Sequence, residues 1–408
     1  MGFKQTEVHI LQKKTNITSL GRCGVSMHCH SENSKEMLDF LPHYAEKLPI
    51  ISHFWKKENV KFEQKTGDPI DFSTSYWAPP MTAQDVFDSE KAQIEETGLE
   101  AIVSITDHDC IDGVLHLQKT SDAGTAPISF EWTVPFDYGF FHLGVHGLPE
   151  ERAVELTQIL LDFTFSPASP ESEKLTDILS MLNEISSVLI VFNHPIWDIE
   201  LVGAERHAAL LKAFLRTHGQ WIHALEINGF RAWSENKAVL ELAEEHDLPV
   251  VSGGDRHGCQ PNTIVNVTNA LSFSEFVEEV RIDKRSEVVV MPEYQQPLHS
   301  RQMQAFSEIL ETYPDFPAGR ERWFDRVFFD MNDGNGLLPL SGHGWKRGGP
   351  VWLRAAIWTL GFLGSPVMRP VLEMAVKNND KVQRDIEQAI SVRPNLGISS
   401  PKLSSGAV

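Results

Sequence analysis

The sequence predicts an α/β architecture, and three observations carry that prediction. Apolar runs of strand length alternate with helical periods between residues 82 and 291. Most of these runs end in a polar tip rich in His, Asp or Glu. In α/β folds chemistry gathers outside the carboxyl ends of the strands, which is where the tips recur. A closed or nearly closed barrel suits the pattern better than an open sheet, because the tips must converge on one centre.

Taken in order, residues 7–11 read as an edge strand and 21–30 as the first core strand. That strand ends in Met27-His28-Cys29-His30-Ser31. Side chains at i and i+2 leave a strand on one face, so His28 and His30 are expected to point the same way. Residues 31–81 keep no single period: 37–48 read as a short helix and much of the rest as a long loop or lid. Its aromatic residues, Phe54, Trp55, Tyr76 and Trp77, argue against disorder. Residues 82–98 read as a helix with Thr82 as its cap and Asp85 three positions on. Strands follow at 99–105, ending in Thr106-Asp107-His108-Asp109, at 126–130, ending at Glu131, and at 140–145, carrying His142. Helices at 151–163 and 173–185 precede a buried strand at 187–192, tipped by Asn193-His194-Pro195. Helix 204–217, strand 222–227 with Glu226, helix 234–246 and strand 249–252 lead to Gly253-Gly254-Asp255-Arg256-His257. Helix 272–283 and strand 287–291 close the series. Beyond about residue 297 the chain reads as mostly helical, with helices at 301–312 (Ser300 as cap), 318–330, 351–363 and 366–387.

The 408 residues fit one large domain, 1–297, with a long insert at about 37–81, and a smaller, mostly helical region, 298–408. Apolar residues make up 41% and charged residues 23%, as in soluble globular proteins. The formal charge of −20 disfavours sequence-independent binding to nucleic acid. Cys23, Cys29, Cys110 and Cys259 form no CxxC pair, so a reducing compartment and a packing role are expected for them. No run reaches transmembrane length and the N-terminus does not read as a secretory signal, so no membrane partner is expected and the expected address is the cytoplasm.

Collected together, the tips supply His28, His30, Asp107, His108, Glu131, His142, His194, Glu226, Asp255 and His257. Carboxylates among imidazoles neutralise bound cations and can bridge two of them. A single structural zinc needs four ligands, and this set offers about twice as many. A multinuclear hydrolytic centre is therefore expected, one that activates water and takes up charge on attacking and leaving oxygens. Mn, Zn and Fe all suit a mixed His and carboxylate set.

The ordered motifs resemble those of the PHP family, the polymerase and histidinol phosphatase domain proteins. The residues that carry the resemblance are His28-Cys29-His30-Ser31, Thr106-Asp107-His108-Asp109, Glu131, His142, Asn193-His194-Pro195, Glu226 and Gly254-Asp255-Arg256-His257. They span residues 22 to about 292, and the second motif looks like that of the small-phosphoesterase branch. The resemblance implies a distorted seven-stranded β/α barrel with two or three divalent metal ions. A first metal would take His28, His30, Glu131 and Asp255. A second would share Glu131 and add His142 and His194. A third would take His108, His257 and one further group. Asp107 would lie close, as a ligand or as an acceptor that orients a His, and Glu226 would support the site. His146 rivals His142, and family spacing favours His142.

Two departures stand out. Where the branch commonly has an acidic residue or His after the first motif, this chain has Lys35 and Glu36. Glu36 can complete the third set after a small shift in the loop; otherwise Lys35 can hold a substrate phosphate. The insert is either a lid that stacks on a ring or scaffold on the rim, and a loop with His343, Lys346 and Arg347 is expected at the surface. The reading that follows is a metal-dependent phosphoesterase acting on a small phosphorylated molecule. Asp107, His108, His257 and Arg256 are the candidate catalytic groups. Arg256 is also a candidate phosphate clamp, although i+1 on a strand points the opposite way. The alternatives are a nuclease acting on single-stranded ends and a non-catalytic metal-binding or interaction domain.

Overall fold

The computed structural model describes residues 5–38, 41–42, 49–120, 126–167, 171–199, 202–316, 318–345, 347–365, 367–368 and 370–371. Its first sheet has the order β1 (Thr6–Ile10), β12 (Ser286–Val290), β11 (Ile264–Thr268), β2 (Cys23–Met27) and β5 (Glu100–Ser104). The second has the order β10 (Val250–Gly253), β9 (Ala224–Asn228), β8 (Leu189–Phe192), β7 (Gly139–Leu148) and β6 (Ile128–Phe136). Strands β2, β8, β9, β10 and β11 are buried end to end, as expected of strands covered on both faces.

Three parallel pairs are joined by helices, and a fourth, β1 with β12, brings distant segments together. Ala83–Glu95 connects β2 to β5, Ala204–His218 connects β8 to β9, and Trp233–Glu245 connects β9 to β10. Each presents an apolar stripe inward, such as Leu210, Leu211, Phe214 and Leu215. Thr82 caps its helix as expected: it is extended, and its side chain accepts from Asp85 N. Registers level the strand ends. Met27 faces Ser104 and Gly253 faces Asn228, so the polar tips emerge side by side.

Among the described residues the ladders give two large five-stranded sheets and no closed barrel. Single-residue bridges join them, His108 with Glu131 at one seam and Cys29 with Arg256 at the other. Both seams fall on residues of the tips. Backbone bonds reinforce them: Asp109 N donates to Glu131 O, and Asp255 N to His28 O.

A third, smaller sheet has the order β14 (Leu337–Pro339), β13 (Val327–Asp330), β4 (Tyr76–Trp77) and β3 (Glu36–Met37). It joins the insert to the chain beyond residue 320. Several expectations are corrected here. Pro49–Thr66 is a helix, not a loop. Its apolar face is narrow: Phe62 packs with Phe324, Phe329 and Leu340. Lys61 and Glu58 form an exposed pair at 2.8 Å. Residues 318–330 are not a helix. A short turn at Trp323–Asp325 leads into β13, and Phe328 stacks on Tyr76 at 4.7 Å. β-branched and aromatic residues with a sheet edge to join override the helical reading. The helix expected at 301–312 begins at Leu298, with Pro297 at its N-cap position and no side-chain cap from Ser300.

Strand β11, helix Asp112–Thr120 and the small sheet were not expected. Met37 belongs to β3, and the rest of the expected helix at 37–48 falls largely outside the described residues, as do most of 366–387 and Lys346. His343 Nε2 lies 2.8 Å from Phe329 O, which ties its loop to the small sheet. Among the described residues no helix is long and apolar enough to cross a membrane.

Candidate metal centre

Glu131 is the hub of the site. It is fully buried near the bulge of β6, and five imidazoles surround its carboxylate. Oε2 lies 3.0 Å from His28 Nε2, 3.1 Å from His108 Nε2 and 3.4 Å from His30 Nε2. Oε1 lies 3.1 Å from His194 Nε2 and 3.3 Å from His142 Nδ1, and it accepts from Asn193 Nδ2 at 2.9 Å. Asp255 Oδ1 approaches His28 Nε2, His30 Nε2 and His257 Nδ1 at 3.6 to 3.8 Å. Burial opposes ionisation of Glu131, but His28, His108 and His142 outweigh it and hold the carboxyl well below its ordinary range. Asp255 is held down in the same way by His30, His257, His28 and His194.

A second group meets beside the first. Glu36 Oε2 lies 3.1 Å from His257 Nε2 and 3.3 Å from His108 Nε2, and His30 Nδ1 is 3.8 Å from Oε1. The rings of His257 and His108 stack on His30, at 4.2 and 4.8 Å. Burial works against the charged forms of Glu36 and His257, but their neighbours prevail. His108 and then His257 lower the Glu36 carboxyl, and Glu36 pushes His257 up to about 9. His108 is pushed down to about 4, chiefly by burial. The rim lies here: the side chains of His257, His108 and His142 are 18%, 12% and 10% exposed, whereas those of His28, His30 and Glu131 are fully covered.

The reason His28 and His30 converge differs from the expected one. Strand β2 stops at Met27, and His28 has φ +63°. Strand alternation therefore does not relate the two. Asp255 (φ +50°), His194 (φ +28°) and Asp109 (φ +50°) are also left-handed. Side chains other than Gly adopt this region at a cost, and such strain concentrates at functional sites. Gly253 has its own reason to lack a side chain, because a Cβ there would overlap the Glu226 carboxylate.

The structure places the other candidates as follows. Glu226 stands behind His28, with Oε1 at 2.9 Å from His28 Nδ1 and Oε2 accepting from His194 N. Asp107 faces Ser31, taking its N at 2.5 Å and its Oγ at 2.7 Å, so both oxygens are occupied away from the imidazoles. Burial pushes this carboxyl up to about 7, against the Ser31 hydrogen bonds. His146 lies with Ser104 instead, at 2.9 Å. Lys35 is exposed, its Nζ 5.8 Å from the Tyr76 ring. Arg256 is buried, and Glu90 and Glu308, from helices Ala83–Glu95 and Leu298–Leu310, dominate the charge around it. Its place as a phosphate clamp is not what this geometry favours. None of the four cysteines joins a metal-suited cluster among the described residues.

Three contributors escaped the sequence reading. Ser34 Oγ donates to Glu36 Oε1 and accepts from His108 N. Trp197, three residues past His194, packs edge-on to that ring at 5.1 Å. Arg231 lies over Trp197, its guanidinium carbon 3.4 Å from the ring centre and its Nη2 3.6 Å from Asp255 Oδ2. Arg231 follows the strand that carries Glu226, so the strand-end rule could have found it.

The donor set suits divalent metals. His30 Nε2 and His142 Nδ1 are buried without a hydrogen-bond partner, as metal-facing nitrogens would be. The groups His28–His30–Glu131, His108–Glu131–His142 and His30–Glu36–His108–His257 each bring ligand atoms within reach of one ion.

No family model matches the chain, and no curated protein matches it. Among solved structures it is similar to an amidohydrolase from Chromobacterium violaceum with bound sulfate and no metal, at 15% identity and TM-score 0.30, over 44% of this chain and 83% of that one. It is also similar to PsfC from Pseudomonas syringae PB-5123, at 13% identity and TM-score 0.36, over 67% and 93%. A candidate metal-dependent phosphoesterase from Bifidobacterium adolescentis aligns at 15% identity and TM-score 0.29, over 50% and 91%. Likenesses this weak assign neither fold nor activity to the chain.

Proposed function

We propose that this chain is a metal-dependent hydrolase that cleaves the phosphoester of a small phosphorylated molecule. One observation carries the reading: a single buried carboxylate, Glu131, reaches five imidazoles with its two oxygens. A carboxylate so placed would be able to hold two ions rather than one. When bound, such ions lower the pKa of water and take up charge on phosphoryl oxygens. The two sheets, joined at their tip bridges, are read as an opened form of the seven-stranded barrel that the motifs resemble.

The chain's own groups divide the remaining work. His28, His30, Glu131, His194 and Asp255 form the covered floor. His108, His142, Glu36 and His257 form the rim. Glu226 keeps the proton of His28 on Nδ1, leaving Nε2 free to face an ion. His257, on the rim and readily protonated, is placed to give a proton to the departing oxygen when no ion holds it. Arg231 offers a forked donor beside Asp255 for an anionic substrate group, with Trp197 as its backing.

The test is hydrolysis of phosphomonoesters, dinucleotides and short oligonucleotides, with Mn, Zn and Fe supplied separately. Turnover of phosphomonoesters, accompanied by two or more tightly held metal equivalents, is the expected result. Inactivity across the panel would overturn the phosphoesterase reading, and cleavage of oligonucleotides alone would make the protein a nuclease.

A further inference from the structure

Every residue of the cup but one is carried on strands of the two large sheets or on the segments that directly follow them. Glu36 is the exception. It sits on β3, a strand of two residues with no partner in either large sheet. A strand this short cannot hold itself in place.

Its support runs outward. Glu36 pairs with Trp77 and Met37 with Tyr76, while Leu38 N donates to Ser75 O. Tyr76 and Trp77 in turn pair with Phe328 and Val327 of β13. Tyr76 stacks on Phe328 with the rings 14° apart, and the Trp77 ring lies 5.6 Å from that of His257. Arg320 closes the loop before β3 by donating to Glu32 O, and its Nη1 lies 3.3 Å from the Glu32 carboxylate. Arg326, 2% exposed, ties this assembly to helix Leu298–Leu310, donating to Arg320 O, Ile309 O and Glu311 O. The covalent neighbours of Glu36 do not supply an equal hold. Lys35 is exposed and Met37 is 40% exposed.

We infer that the small sheet is a clasp: residues beyond 320 position Glu36, and through it they set the occupancy of the ion site formed by Glu36, His108, His257 and His30. The Glu131-centred groups share His30 and His108 with that site but take no ligand from the small sheet, so they would feel the clasp less. Glu32, Trp77, Arg320 and Phe328 are thus positioning residues, none of which contacts an ion. This rests on the metal-centre reading above.

The experiment is calorimetric titration of the metal-free, full-length protein with Mn²⁺, comparing wild type, Glu36→Gln, the clasp variant Arg320→Ala with Phe328→Ala, and the three changes combined. The clasp variant should weaken one Mn²⁺ equivalent by about tenfold, the low end for loss of a group that orients a ligand, and affect the tighter equivalents less. Glu36→Gln should weaken the same equivalent. In the combined variant the clasp changes should add nothing, because the ligand they position is already gone. Thermal unfolding checks folding, and Arg320→Ala alone carries the test if the double change does not fold. Unaltered Mn²⁺ binding in the clasp variant, or a clasp effect that persists in the Glu36→Gln background, overturns this inference and leaves the function reading standing. Failure of wild type to bind Mn²⁺, Zn²⁺ or Fe²⁺ in the same titration overturns both.

Discussion

His28 Nδ1 lies 2.9 Å from Glu226 Oε1, on the edge of the ring opposite the one that faces Glu131. Glu131 and Glu226 together raise the affinity of this imidazole for protons well above the ordinary value, although burial opposes that. The proton belongs on the Glu226 side, where it fixes the tautomer. Glu226→Gln should therefore weaken metal binding by about 10- to 100-fold without removing a ligand. Metal retained after dialysis against a chelator series measures it. Retention equal to wild type would reduce Glu226 to a packing group.

Glu131→Gln should be more severe. The amide cannot bridge two cations as the carboxylate does, and five imidazoles lose their shared counter-charge. Hydrolysis should fall by more than the roughly 100-fold typical of an outer partner, and at least one tightly held metal equivalent should be lost. Elemental analysis beside initial rates tests both. Full metal content with near-normal rates would remove Glu131 from the centre of the account.

Much of the cup is legible in the sequence because its residues close apolar runs. His28, Glu131, His194 and Asp255 each end or interrupt a buried strand, and strand ends in α/β folds face one side. The alternation argument for His28 and His30 fails because His28 is left-handed, a backbone state that residue type does not announce. The clasp was not legible either. Strands of two and three residues leave no period to read, and the Tyr76 to Phe328 contact joins segments far apart in the chain. The helix Pro49–Thr66 is stabilised by tertiary packing on Phe329 rather than by a broad stripe. Residue type does not choose between Lys35 and Glu36 at the rim; the ladder with Trp77 and the Ser34 hydroxyl place Glu36 inward.

Metal binding at the rim should depend on pH in a stated direction. An imidazole binds metal only when neutral, and His257 in the metal-free protein keeps its proton up to about 9. Affinity of that ion site should rise roughly tenfold per pH unit as pH climbs toward that value. The stability of the metal-free protein should move the other way. A His pKa raised from 6.5 in folding contributes stability that is fully present below 6.5 and is lost as pH passes about 9. Melting temperatures of metal-free protein between pH 6.5 and 9, beside Mn²⁺ titrations at the same pH values, check both signs. Glu36→Gln should flatten both profiles, because Glu36 is the largest attractive influence on His257.

The two arginines near Asp255 should separate by phenotype. Arg231 is held by stacking on Trp197 and points a nitrogen toward Asp255 Oδ2, so it can turn to an arriving anion without leaving its place. Arg231→Ala should raise KM for an anionic substrate by about 10- to 100-fold, the worth of one charge-assisted hydrogen bond, with a smaller effect on kcat. Arg231→Lys should recover part of this at most, since an ammonium lacks the planar fork. Arg256 is covered, and its Nε and Nη2 have no hydrogen-bond partner. Its field is instead matched to Glu90 and Glu308. Arg256→Met should lower the melting temperature, because two acidic groups lose their cation, and leave KM unchanged. The reverse pattern, with KM following Arg256 and stability following Arg231, would put the anion on the other side of the chain from the one the Trp197 stack indicates.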